Sequence, residues 1–345
     1  MWLALLAFTG SAIVFYDELD AWLNADWYHS PVTDSVSVDK SVAAARDGIV
    51  GFSPRFIDLP NVPGRSIIIL GSIDGEPAQA FVSPGGELLG WREGERLSLH
   101  RRHLMDMLYA LHVELMMGGI GAWFIGLVAL GWILDHIVAA MLSLPRLSKW
   151  RDALAIRGKR GSLRRLFDLH RAPGLWLLPA TLVLAVSGFC LSWYDESRAL
   201  VGTVSALSQR LHEDFPEVTP PPNSVGIDAA ILEAQRHGAG TVDSLLIIER
   251  GATYGIRSFD ERDIDSLGRL WTYISMQDRR LLGQRHDNGA SAGDTFFAWQ
   301  YPLHSGKAFG IAGRLAVFAA GIGTLALCVT GLALWWRRRR SGVAV

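Results

Sequence analysis

The chain has two cysteines, Cys190 and Cys328, and no Cys-x-x-Cys pair. Both lie in apolar stretches, near opposite ends of different helices, so no disulfide is expected and each reads as a small apolar filler. A nucleotide-binding loop is also lacking. Gly118-Gly119-Ile120-Gly121 sits inside an apolar run, not after a strand, and no Walker-type loop occurs. Any redox role must therefore draw its electrons from a separate donor. Net charge is nearly absent, at −1, but it is the sum of opposed blocks and points to no nucleic-acid partner. Charge is scarcest in three long runs, Gly118–Met141, Pro173–Tyr194 and Gly310–Trp336, where Asp135 and Arg314 are the exceptions.

Half of the residues are hydrophobic, and mean hydropathy is +0.21. Each of the three runs is long enough to cross a bilayer core, for which about 20 residues suffice. Met1–Tyr16 is a fourth apolar block, shorter than a full span. It lacks the basic start of a signal peptide. The segment 143–169 carries Arg146, Lys149, Arg151, Arg157, Lys159, Arg160, Arg164 and Arg165 against Asp152 and Asp168, and Arg337–Arg340 close the last run. Both basic segments belong on the cytoplasmic side. The expected plan is a multi-pass protein of the bacterial inner membrane, N-in and C-in. It divides into helix 1–16, outer domain 17–105, helix 106–141, basic loop 142–169, helix 170–194, outer domain 195–300, helix 301–337 and tail 338–345.

The chain repeats itself. Thr9-Gly10 leads to Phe15-Tyr16-Asp17-Glu18, and Ser187-Gly188 leads to Trp193-Tyr194-Asp195-Glu196. Leu111-His112 aligns with Leu303-His304, and Gly118, Gly121 and Gly131 with Gly310, Gly313 and Gly323. A tandem duplication of one unit (span, outer domain, Leu-His, span) accounts for all of these. In this register the counterpart of His170 falls before Met1, so the natural chain is expected to begin upstream. The outer segments read as α+β. Strands are expected at Ser66–Leu70, Gln79–Val82, Ser244–Ile248, Thr253–Ser258 and Leu270–Ser275, with a helix at Ile227–His237. The fold class is thus an integral membrane protein: a four-helix transmembrane bundle with two small α+β periplasmic domains.

The histidines carry the chemistry. A histidine within or at the lip of an apolar helix is costly unless something binds it. His112 and His304 occupy equivalent positions at the outer level, and two neutral imidazoles facing each other across a bundle meet the axial needs of a six-coordinate haem. His136 and His170 share the cytoplasmic level and form a candidate second pair, giving two haems. Without Cys-x-x-Cys-His, any haem is b-type, held by coordination and packing. Gly118, Gly119, Gly121, Gly310 and Gly313 either make room for a flat macrocycle or allow close helix packing. Arg101, Arg102 and His103 form a candidate basic rim at the outer face.

Thr9-Gly10…Tyr16-Asp17-Glu18, Leu108–Leu115 around His112, Phe167-Asp168-Leu169-His170, Leu177-Leu178-Pro179, Leu303-His304 and the Arg-terminated last span resemble the PepSY-associated transmembrane family, in particular its iron-regulated, ferric-siderophore-reducing branch. The resemblance implies PepSY-like outer domains and a haem-bearing helical unit. It also implies an oxidoreductase that reduces a ferric siderophore or other ferric chelate at the periplasmic face and releases Fe(II), with quinol or a cytoplasmic reductase as donor and membrane lipids as surroundings. No acid–base catalytic residue is required. Two departures stand out: the family's histidine early in the first span is absent, and Ala180 follows Leu178-Pro179 where a further histidine is usual. A non-enzymatic membrane binding or sensing module and a haem or iron transporter are the alternatives. A binding module does not need histidines paired at two depths, and a transporter would need an intramembrane polar path, whereas the spans hold few charges besides Asp135 and Arg314.

Overall fold

The computed structural model describes residues 1–345 except 33–35, 95–96, 144–148, 210–214, 216–217, 219–220, 222 and 342–345, so Arg146 lies outside the described residues. In chain order the first elements are α1 (Trp2–Ile13), α2 (Tyr16–Leu23), α3 (Ala25–Tyr28) and α4 (Val38–Gly48). Strands β1 (Phe52–Asp58), β2 (Ile67–Ile73), β3 (Glu76–Val82) and β4 (Leu88–Glu93) follow. Next come α5 (Leu104–Glu114), α6 (Gly118–Ser143), α7 (Trp150–Ala153), α8 (Leu163–Ser192), α9 (Tyr194–Gly202) and α10 (Ile227–Arg236). The chain ends with β5 (Val242–Ile248), β6 (Thr253–Ser258), β7 (Leu270–Ser275), β8 (Leu281–His286), α11 (Ala292–Ser305) and α12 (Gly310–Ser341). Contacts divide these into a helical unit (Met1–Tyr16, Leu108–Leu200, Trp299–Val345) and a sheet unit (Asp17–Met107, Val201–Ala298).

In the helical unit, three stretches reach membrane length: Gly118–Leu142, Leu163–Ser192 and Lys307–Arg340, with mean hydropathies of 2.0, 2.0 and 2.1. Only 22, 22 and 11% of their most apolar windows is buried within the protein. Such surface is stable only against lipid. The bent pair α1–α2 makes a fourth candidate. Helix α1 packs on α12, α12 on α8, and α8 on α6. Arg314, an exception in charge, donates from Nε and Nη2 to the Val14 carbonyl at 3.1 and 2.8 Å. It thereby bonds a carbonyl at the C-terminal end of α1, where helix carbonyls run out of intrahelical partners. The third span begins earlier than position 170, at Leu163, because Ser162 caps it by accepting from Arg165 N at 3.1 Å.

Two expected helices, 106–141 and 301–337, are each broken in two. The run 106–141 breaks between α5 and α6, where Leu115, Met116 and Gly118 take φ of 54°, 55° and 58°. The equivalent break between α11 and α12 uses Gly306 (φ 76°) and Gly310 (φ 56°). The chain folds back tightly at each break: a Cβ on Gly121 would lie 1.7 Å from the Glu114 carbonyl oxygen, and one on Gly313 would lie 2.2 Å from that of Gly306. These two glycines therefore serve the breaks. A Cβ on Gly118, Gly119 or Gly310 would meet nothing within 4 Å.

The sheet unit corrects the expectation of two separate domains. Its strands form one antiparallel eight-stranded sheet in the order β4-β3-β2-β1-β5-β6-β7-β8. The two four-stranded halves join where Phe56, Ile57 and Asp58 pair with Leu246, Leu245 and Ser244. Helices α4 and α10 bury Val38, Val42, Ala45, Ile227, Ala230 and Ala234 in one core with Ile57, Ile69, Leu245 and Ile256. Each buried isoleucine or leucine there contributes about 1.5–3 kcal/mol. The two helices also cap each other. Asp39 accepts from Ile227 N (2.7 Å) and Asp228 N (3.0 Å), while Asp228 accepts from Val38 N (2.8 Å) and Ser37 Oγ (2.7 Å). Elsewhere, buried Arg92 pairs with buried Asp20 at 2.8 Å and Asp106 at 2.7 Å.

Removing one cap by Asp39→Ala strips two N–H groups of α10 of their acceptor. The expected cost is about 1–2 kcal/mol, read as a lower melting temperature of the full chain in detergent. Arg92→Met leaves two buried carboxylates without their cation and should cost more, about 3–5 kcal/mol.

Candidate functional site

The helical unit gathers four histidines at two levels. His112 ends α5 and His304 ends α11. Their rings face each other, with centroids 6.1 Å apart and planes inclined at 48°. Along α6, His136 lies 18 residues past Gly118, or about 27 Å at 1.5 Å per residue.

A hydroxyl holds each outer ring. Thr9 Oγ1 of α1 lies 3.1 Å from His112 Nδ1, and Ser187 Oγ of α8 lies 2.9 Å from His304 Nδ1. Each hydroxyl already gives its proton one turn back, Thr9 to the Leu5 carbonyl (2.9 Å) and Ser187 to that of Val183 (2.7 Å). The oxygen can then only accept, so the imidazole proton belongs on Nδ1 and the Nε2 lone pair is bare. The other tautomer would place an N–H where, among the described residues, no acceptor meets Nε2, at the cost of an unmade hydrogen bond. Two bare sp² nitrogens facing across a bundle can ligate one metal. Bonds of about 2 Å on either side of an ion place two imidazole centres about 6 Å apart.

The inner level is less symmetric. His136 and His170 line one cavity of about 220 Å³ with Trp132, Asp135, Arg171 and Thr181. His170 Nδ1 lies 3.0 Å from Thr330 Oγ1, which donates to the Ala326 carbonyl at 2.8 Å. His136 Nδ1 donates to the Trp132 carbonyl (2.7 Å), and its Nε2 faces Thr181 Oγ1 at 2.8 Å. Its ring packs on Trp132 at 5.3 Å. Among the described residues no ring contact joins it to His170. Asp168, two residues before His170, turns to the basic segment and accepts from Arg157 N (3.1 Å) and Arg164 Nε (3.3 Å).

Sequence reasoning missed the residues that hold the rings: Thr9, Ser187, Thr330 and Thr181. Two of them were visible as the hydroxyl–glycine pairs of the repeat, although nothing local says that a histidine from another helix meets them. The expected rim, in the sheet unit, is occupied by its own chain. Arg101 Nη1 pairs with Asp26 at 3.2 Å, Arg102 pairs with the same carboxylate and lies over the Trp27 ring at 3.5 Å, and His103 sits in the turn ahead of α5.

Membrane-length helices, a duplicated plan and a facing pair of half-buried histidines define a multi-helix membrane protein with a separate sheet unit. The chain belongs to the PepSY-associated transmembrane family, since the family described as the PepSY-associated TM region matches residues 1–338. It is also similar to an uncharacterised protein of Pseudomonas aeruginosa, 27% identical over 261 residues that cover 69% of this chain. That similarity covers 64% of the relative, so the chain spans just under two thirds of its length.

The hydrogen bond from Arg102, aided by Arg101, lowers the Asp26 carboxyl to about 2 from 3.8. A depressed carboxylate stabilises the fold above its ordinary pKa and ceases to do so as pH falls through the depressed one. The stability difference between wild type and Asp26→Asn should therefore be constant from pH 7 to about 5 and vanish towards pH 2. Because the pair is exposed, the difference should stay under about 1 kcal/mol. Thermal melts across that range check this.

Proposed function

We propose that this protein is a haem-holding reductase of the bacterial inner membrane that delivers electrons to ferric iron in a siderophore at the periplasmic face. One observation carries the reading: the facing His112–His304 pair, 6.1 Å between ring centres, with both Nδ1 atoms engaged. The residues fit a b-type haem. The donors are two neutral imidazoles, and the chain has no Cys-x-x-Cys-His for covalent attachment. A haem held there supplies a one-electron Fe(III)/Fe(II) couple. His112 and His304 would hold it at the outer level. His136 and His170, which share the inner cavity, are the candidates for a second.

The chain's own part is to position and to exclude water. Apolar spans surround the histidines. The basic segments Lys149–Arg165 and Arg337–Arg340 favour the cytoplasmic side. Quinol or a cytoplasmic reductase would be the donor. Reduction weakens a chelate of hard oxygen donors, which prefers Fe(III), so Fe(II) leaves. Arg101 and Arg102 could meet an anionic chelate only by sharing or releasing Asp26. A binding or sensing module is the competing reading, and the facing pair weighs against it because binding at the sheet needs no imidazoles in the helical unit.

The test is the optical spectrum of the detergent-purified chain, oxidised and dithionite-reduced, with haem counted per chain. Sharp low-spin b-type bands, lost at the outer site in His112→Ala and His304→Ala, are expected, together with oxidation of the reduced protein by a ferric siderophore. A colourless chain from haem-replete cells overturns the reading.

A further inference from the structure

Three places in the helical unit share one local design. Thr9-Gly10 on α1 meets His112, Ser187-Gly188 on α8 meets His304, and Thr330-Gly331 on α12 meets His170. In each, the hydroxyl holds Nδ1 and the following glycine underlies the ring edge. A Cβ on Gly10, Gly188 or Gly331 would stand 2.8, 3.2 or 3.1 Å from Cε1 of its histidine. The first would clash outright, and the other two are tighter than ordinary van der Waals contact. Inside α1, α6, α8 and α12, hydroxyl–glycine pairs occur at these three positions, and all three meet an imidazole.

Duplication explains only two of them. Thr9-Gly10 and Ser187-Gly188 are repeat counterparts, but carrying the His112/His304 register onward places Val138-Ala139 opposite Thr330-Gly331. The third seat thus has no hydroxyl–glycine counterpart in the other copy. His136 provides the contrast within the same protein: Thr181 is followed by Leu182, and its hydroxyl lies on Nε2 rather than Nδ1.

We infer that a helix hydroxyl followed by glycine is a recurring imidazole seat, in which Thr9, Ser187 and Thr330 fix the Nδ1–H tautomer of His112, His304 and His170 and present Nε2 as the ligating nitrogen. The hydroxyl's proton goes to the helix carbonyl four residues back, at 2.9, 2.7 and 2.8 Å. Its oxygen therefore accepts from Nδ1–H, as the outer partners of metal-bound histidines do. Glycine allows the ring to lie against the helix, where that hydroxyl can reach it. These are positioning residues. The ligand role of Nε2 rests on the haem reading, whereas the tautomer does not.

The experiment uses the full chain in detergent micelles, ¹⁵N-labelled at histidine, before and after addition of hemin. Without hemin, the ring nitrogens of His112, His304 and His170, assigned by substitution, should show Nδ1–H and a bare Nε2. In Thr9→Val the His112 signals should move towards the other tautomer, hemin affinity should fall about tenfold, and the low-spin electron paramagnetic resonance signal should shift. Thr9→Ser should restore all three, which a merely structural role would not produce. Wild type that binds hemin through its histidines, while Thr9→Val and Ser187→Ala keep its tautomers, affinity and resonance signal, overturns the seat. Wild type that binds no hemin overturns the haem reading instead, and the tautomers alone then decide the seat: Nδ1–H supports it and Nε2–H refutes it.

Discussion

A hydroxyl has one proton, and at three positions in the helical unit it goes to the carbonyl one turn back. That constraint orders the centre of this protein. Once Thr9, Ser187 and Thr330 have donated to Leu5, Val183 and Ala326, their oxygens have only lone pairs to offer, and a neutral imidazole beside them must present its N–H. The ring's other nitrogen is then left as a base. Three such nitrogens repeated in one helical unit fit a common purpose, and on the haem reading coordination would supply one.

Placing the outer two rings face to face needs a backbone device as well. A continuous helix from position 106 to 141 would carry His112 on the same cylinder as the span. Instead the chain breaks after Glu114, and α5 ends with Met116 N bonded back to the Ala110 carbonyl at 3.1 Å. Leu115 and Met116 accept left-handed φ values there, at about 1–3 kcal/mol for each such residue. In the second copy Gly306 and Gly310 make the equivalent turn with no such penalty. Two different local solutions to one geometry indicate that the position of the histidine is what is being held.

Much of this plan was legible in the residues. Apolar runs, the basic segments flanking them, the strands at Thr253–Ser258 and Leu270–Ser275 and the duplicated Leu-His all rest on local patterns, and the structure has the elements there. What escaped depends on contacts between distant parts of the chain. Hydropathy does not register the φ of Leu115 or Met116, so one helix was read where there are two. The pairing of Ile57 with Leu245 joins strands almost two hundred positions apart, so two domains were read where one sheet runs through. Asp39 and Asp228 look like ordinary first-turn acids until each is seen capping the other's helix. The hydroxyl–glycine pairs were noticed as repeat markers, but their histidines come from other helices.

The two levels are unequal for a reason the proton count makes plain. At the outer level both rings have Nδ1 held and Nε2 bare, so a ligand finds the donors already oriented. At the inner level His170 is prepared in the same way. His136 is held by the Trp132 carbonyl on Nδ1, but its Nε2 already takes the Thr181 proton, which the Leu177 carbonyl, 2.9 Å away, would otherwise receive. Coordination through His136 would first require that proton to return to Leu177, exchanging one hydrogen bond for another and turning the Thr181 oxygen's lone pairs towards the site. The exchange costs at most about a hydrogen bond's net worth, 0.5–1.5 kcal/mol, so it weakens the inner level without forbidding it. On the haem reading the outer pair would be the preorganised centre, and ligation at the inner pair would depend on where a single threonine proton lies.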